Sequence, residues 1–415
     1  MDAFLAGAPA FSLFGHEQPL TPGDAGSVRF GDEAENLGPT FNAAQLAFYF
    51  QDDWEVSDNF KLSLGLRADI PIFIDNPPLQ NEAFNKETIP QLEAAGYDLK
   101  GAQASQAPGT SIMLAPRIGF NWDVNGDQRT QVRGGTGIFT SRVPWVWPGG
   151  MFIRNGLNSS FAPGFGPFGA TPNEWRDRLN LSSPSGDVDL FTENFKYPQF
   201  WRSSLAIDQK LPGNMILTVE GMYTDAINDL SVTNVNQARS TQNLQGADNR
   251  PIFSGDLIDD TYNYITLVDN TNQGYTANLS VQLQKPFAND WLGSFAYSFT
   301  RAVSLFDGTG FINSTNWRDN TAVNGRNNPI LTRATFDSGS RLSAFVAKKF
   351  KWNENVATTI SLFYNGQSGQ PFSYVYTNGD ALTGEDSEDS RALIYVPASQ
   401  SEIVFADQST AAAQW

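Results

Sequence analysis

Cysteine is absent from the 415 residues, and histidine occurs once, at His16. Without thiols there is no disulfide framework and no thiolate chemistry. A lone histidine excludes histidine-cluster metal sites, and any Ser/His/Asp triad would hang on His16 alone. Basic residues are scarce: 27 Lys+Arg stand against 44 Asp+Glu, a formal charge of −17. That balance argues against nucleic acid as a partner, because phosphates demand Lys and Arg. Charged residues are 17% of the chain, below the roughly 25% of an ordinary soluble domain. No apolar run approaches the roughly 18 residues of a transmembrane helix; the longest, such as Leu46 to Phe50, have the length of a strand. Met1, Asp2, Ala3 and Phe4 put no basic region ahead of an apolar core, so no signal peptide is visible. The expectation is a cytoplasmic protein or a piece of a longer chain.

What the chain does hold is 13% aromatics, 36 Gly and many Asn. That is too aromatic for a disordered acidic chain, and it suits a β-protein with an unusual solvent on one side. Alternation at period two dominates, the signature of strands with two different faces. Phe60, Leu62, Leu64, Leu66, Ala68 and Ile70 fall on one face; Lys61, Ser63, Gly65, Arg67 and Asp69 fall on the other. The pattern recurs around Leu46, Ile118, Leu205, Val219, Leu279, Tyr297 and Leu362, and more weakly over 129–140 and 341–350.

The connections alternate in length. Short ones with Asn, Asp, Gly and Pro span 56–59, 125–127, 210–214, 285–290 and 351–355. Long ones span 71–111, 143–197, 231–270, 301–338 and 366 onward. Loops above about 15 residues are uncommon in compact domains. Five of them, interleaved with tight turns, put all tight turns at one end of a sheet and all long loops at the other. That asymmetry is the habit of outer-membrane β-barrels. Eleven residues at ~3.3 Å, tilted ~45°, rise about 25 Å, the height of the apolar band. Trp54, Phe60, Trp122, Trp291 and Trp352 cluster at the tight-turn end, with Tyr223, Tyr275, Phe299 and Tyr364 near the other, as interfacial girdles require. A soluble sandwich would put Lys and Glu on the polar face, which here is mostly Ser, Thr, Asn, Gln and Gly. A propeller would show repeats of about 40 residues, and none is visible.

The stretches QLAFYFQDDWEVSDNFKLSLGLRAD (45–69), LAPRIGFNWDVNGDQRTQVRGGTGIF (114–139), NQGYTANLSVQLQKPFANDWLGSFAYSFTRA (272–302) and ISLFYNGQSGQPFSYVY (360–376) resemble the barrel strands of TonB-dependent outer-membrane receptors, of an Oar-like branch. The resemblance spans nearly the whole chain. It implies a 22-stranded barrel, a plug inside it, a TonB-contacting segment and a place in the outer membrane of a Gram-negative bacterium. No plug-like sequence or TonB box is found here. The expected fold is all-β: an antiparallel transmembrane barrel, incomplete, as an open curved sheet of about 10–12 strands. Its organisation would be a loop-like segment over 1–44, a partial barrel over 45–376 and a loop-like segment over 377–415. The implied partners are outer-membrane lipid, a plug absent from this chain, the TonB complex through that absent segment, and an unknown small-molecule, glycan or peptide ligand.

Candidate ligand contacts are Trp145, Trp147, Phe152, Phe161, Phe165, Phe168 and Trp175, which share one long loop. Aromatic faces of this kind stack on sugars or apolar groups; the alternative is that the loop packs on itself or caps the barrel mouth. Thr171, Pro172 and Glu174 before WRDRL predict a short helix there. Residues 164–169 (GFGPFG) match G-x-G-x-x-G without a βαβ context, so no cofactor follows. Asp380, Glu385, Asp386, Glu388 and Asp389 make an oxygen-rich loop of the kind that can hold Ca²⁺, but without EF-hand spacing they read first as a solvated acidic loop, with no metal assigned. Arg67, Asp69, Arg117, Asp123, Arg202, Asp208, Glu220 and Arg341 fall on polar faces. They would line the lumen, meeting a plug or pairing across strands. No acid/base pair is identifiable and histidine is nearly absent, which makes an outer-membrane hydrolase a poor reading, and the expectation is that the chain is not an enzyme.

Overall fold

Ten stretches with a two-residue apolar period become ten long strands. The structure, a computed structural model, describes residues 26–29, 41–77, 79–157, 159–162, 186–376, 382–385 and 392–402. The strands are β1 (Ala43–Ser57), β2 (Phe60–Phe73), β3 (Met113–Asp123), β4 (Thr130–Thr140), β5 (Gln199–Leu211), β6 (Met215–Asn234), β7 (Gly274–Ala288), β8 (Trp291–Ser304), β9 (Ser340–Lys351) and β10 (Ala357–Gln367). Each pairs antiparallel with the next in the chain, giving one continuous meander. Three shorter strands bring the sheet to 13. The sheet is open, with β1 and β10 at its edges.

Register confirms the two faces. Leu46, Ile70, Phe48, Ala68, Phe50 and Leu66 pair along one face, and Ile118, Leu64, Leu205 and Val219 continue it. That face is solvent-accessible and apolar: Leu66, Leu205, Leu279, Phe295 and Leu362 are all exposed. A continuous exposed apolar surface of this extent marks a membrane-facing side. No helix among the described residues is long and apolar enough to cross a membrane, which says nothing against strands doing so.

The tight turns all lie at one rim. Asp58-Asn59 joins β1 to β2, residues 212–214 join β5 to β6, and Asn289-Asp290 joins β7 to β8. Asn289 and Asp290 have φ of 53° and 64°, the left-handed pair that a two-residue hairpin requires. Residues 124–129 and 352–356 close the other two hairpins at this rim. The weakly patterned stretches over 129–140 and 341–350 are both strands.

At the opposite rim the long connections pack into a head. A wide helical turn (Phe84–Thr88) runs into α1 (Ile89–Ala94), which carries Pro90 in its first turn and is followed by Gly96 at φ 90°. Two further short helices are α2 (Gly150–Ile153) and α3 (Asn313–Asp319). The end of β6 leaves the ten-strand meander and pairs with Ile265–Thr271, which also pairs in parallel with Val188–Phe191. Two buried clusters form the head. One gathers Met113, Val143, Trp147, Phe191, Val268 and Trp317; the other gathers Phe84, Leu92, Leu99, Val188, Tyr262 and Ile265.

The predicted boundaries at 44 and 377 fall close to β1 and beyond β10, and β10 ends at Gln367, next to the long connection expected from 366 onward. Residues 26–29 pair with 159–162. His16, the helix expected over 171–178, the 164–169 motif and four of the five acidic residues near 380–389 lie outside the described residues.

Candidate functional site

The polar face of the sheet carries charge in a definite arrangement. Arg67 donates to Asp69 through Nε (2.9 Å) and a terminal nitrogen (2.8 Å), and Gln45 adds a bond to the same carboxylate at 3.2 Å. Asp69 is almost fully buried under the head. This two-pronged geometry is the strong form of the Arg–carboxylate pair. A second group centres on Arg133, which lies 3.0 Å from Asp208 and 3.6 Å from Glu220. Thr218 donates to Asp208 at 2.6 Å. Arg341 bonds Asn365 across β9 and β10 at 3.1 Å. Asp123 accepts from the Gln128 backbone at 2.8 Å and so closes the β3–β4 turn. Arg117 and Arg202 flank the Phe139 ring at 4.5 and 5.7 Å. All eight residues picked from the alternation thus share the polar face. Arg133 is the residue that alternation alone missed: the glycines that follow it (Gly134, Gly135 and Gly137) hide the period, but its spacing from Gln131 gave its side.

The aromatic candidates divide. Trp147 and Phe152 are buried in the head, where they build its core. Trp147 donates from Nε1 to the Gly310 carbonyl at 3.3 Å, and Phe152 stacks on Phe41 at 4.6 Å. Trp145 is 43% exposed and packs edge-on against Phe41 and Phe73. Phe161 falls in Ser159–Ala162, and Phe165, Phe168 and Trp175 lie outside the described residues.

Asparagines carry the polar interior of the head, which explains their abundance. Asn327 donates to the Asn234 carbonyl at 2.7 Å and accepts from Trp317 Nε1 at 2.8 Å. Asn236 donates to the Tyr262 carbonyl at 2.8 Å and accepts from the Asp259 backbone at 2.9 Å. Such side chains satisfy the backbone groups that irregular buried chain leaves unpaired. Arg326 and Glu385 form a buried pair at 3.3 Å. Desolvation pushes the Asp187 carboxyl up to about 6, with Asp189 adding to the rise and Arg154 opposing it. Burial likewise pushes the Tyr197 hydroxyl up to about 12. Among the described residues, no three acidic or histidine side chains are arranged to hold a metal.

A family model described as outer membrane beta barrel domain matches residues 2–414. Several solved structures are similar, three of them as follows. The ferric enterobactin receptor PfeA of Pseudomonas aeruginosa is 11% identical, with a TM-score of 0.42, over 86% of this chain and 40% of that one. The siderophore receptor PirA of the same organism is 11% identical, with a TM-score of 0.38, over 82% and 43%. The ferric yersiniabactin uptake receptor FyuA of Yersinia pestis is 12% identical, with a TM-score of 0.37, over 82% and 35%. The chain spans less than half the length of each. No curated protein matches.

Proposed function

Because the chain belongs to the outer membrane beta barrel domain family, we propose that it is the barrel portion of a TonB-dependent receptor of the Oar-like type: its loops capture a ligand at the head, and the full-length protein takes that ligand up with energy from the inner membrane. Outer-membrane residence and the all-β fold are its starting point. The observation that carries the reading is the division between the rims: five tight hairpins at one, a head built from the long connections at the other. The strand stretches that resemble these receptors occupy seven of the ten long strands of that sheet.

In this reading the head faces outward, and Trp145 with other exposed aromatics such as Phe311 and Phe336 meets the ligand. The paired charges of the polar face line the interior, where a plug would sit. The ligand is an iron chelate, glycan, peptide or cobalamin. The test is accumulation of labelled candidates from these four classes by cells producing the barrel together with the plug and TonB-contacting segment of the full-length receptor. Accumulation that a protonophore abolishes, with surface binding retained, is the expected result. Binding with no energised accumulation of any class overturns the transport reading and leaves a surface-binding barrel, which the exposed aromatics of the head would equally serve.

A further inference from the structure

Two arginines on the polar face stand close together with no carboxylate between them. Arg67 has Asp69, and Arg133 has Asp208 and Glu220. Arg117 and Arg202 have no carboxylate partner among the described residues. Arg202 donates through Nε to Thr224 at 3.1 Å, and Arg117 rests on the Phe139 ring. Both guanidinium carbons lie against that one ring, 4.5 and 5.7 Å from its centroid, so they stand within about 10 Å of each other. Two cations held this close attract an anion.

Register explains how they meet. Gln51, Gly65, Arg117, Gly137, Arg202 and Thr224 form one lateral row across β1 to β6. Gly137 separates the two arginines, and a Cβ there would come within 2.9 Å of Arg117 Cγ. Any larger residue would push Arg117 off Phe139. In the row on the turn side stand Ser63, Gly119, Gly135 and Ser204. A Cβ at Gly119 would meet nothing closer than the Gly134 carbonyl at 3.6 Å, so the space above it is open. The result is a depression of 270 Å³ with a glycine floor. Asp53, at the end of the lower row, is engaged by Ser63 at 2.5 Å and Lys61 at 3.7 Å.

We propose that Arg117 and Arg202, set about Phe139 over this glycine floor, form an oxyanion site that takes carboxylate or phosphate groups. A guanidinium presents paired N–H donors that match both groups, and the aromatic ring fixes the fork before the ligand arrives. The Ser204 hydroxyl lies in the adjacent row as a neutral donor. The site rests on the reading above only in taking this face as the wet interior.

The experiment is calorimetric titration of the purified full chain in detergent, with citrate and with inorganic phosphate at matched ionic strength. Saturable binding of at least one anion is expected, weakened at least tenfold in R117Q/R202Q. G119L keeps both charges and fills the floor; the same loss is expected. R341Q removes an inward arginine away from the depression and is expected to leave affinity unchanged. Heat-modifiable migration in gels reports that each variant is folded, and R117K/R202K, which keeps charge but loses the fork, serves if the glutamine pair misfolds. A preference for citrate or phosphate identifies the group. No saturable binding by the parent chain, or equal affinity in the folded double variant, overturns the site. The readout needs neither cells nor energy, so it stands or falls apart from uptake.

Discussion

Trp317 shows what one buried side chain holds in the head. It is 1% exposed, bonds Asn327 and lies under the Arg326 guanidinium at 5.4 Å. Trp317→Ala should destabilise the head locally by about 3–5 kcal/mol, the range for a large aromatic truncated in a core. Hydrogen exchange would read it: amides of the head should lose protection while those of β7 and β8 keep theirs. Asp187 makes a prediction with a sign. Its folded form holds a proton up to about pH 6, whereas the unfolded carboxyl releases it near 3.8. Between those values the folded chain binds more protons, so stability falls as pH rises through the window and is flat above it. Asp187→Asn should abolish that slope and stabilise the head at pH 7 by ~1–2 kcal/mol; melting followed by head fluorescence at pH 4, 5, 6 and 7 checks both. Neither residue was legible as part of a core, because the order of burial in an irregular head leaves no period in the sequence. Trp147 and Phe152 illustrate the same limit: they stand out by type, and only the packing says which side of the surface they serve.

Strands and turns were legible because a single physical rule writes them. Two solvents on two faces impose period two, and five hairpins leave five clusters of turn residues. The helices α1, α2 and α3 were not read, because each is too short to show an amphipathic period; Pro90 and Gly96 around α1 were the available marks. The face assignment makes a paired prediction at β5. Leu205 is on the apolar face and 54% exposed, and Ser204 is its neighbour on the polar face. In refolding into lipid vesicles, Leu205→Arg should cost about 2–4 kcal/mol, whereas Ser204→Arg should cost under about 1 kcal/mol. Equal costs would contradict the membrane-facing side. At the β7–β8 hairpin, Asn289→Val puts a branched residue at φ 53°. A loss of about 1–2 kcal/mol is expected there, measured in the same assay, with Asn289→Gly close to neutral.

The whole molecule is a sheet that meets lipid and a head that meets water. Protease added to intact cells should therefore cut within 235–273, at exposed positions such as Leu257, and spare the hairpin at 289–290; cleavage at both or only at the hairpin would reverse the orientation proposed here. One feature of the head sets an order of events. Phe84 packs against Tyr262 at 5.2 Å, and Tyr97 is bonded by Asn327 at 3.1 Å. These partners are contributed by different long connections, separated by strands that run the full height of the sheet. Contacts so distant along the chain close slowly and late. The cap is therefore expected to close late in biogenesis: these contacts can form only after the three hairpins from β3 to β8 that separate their partners have taken shape.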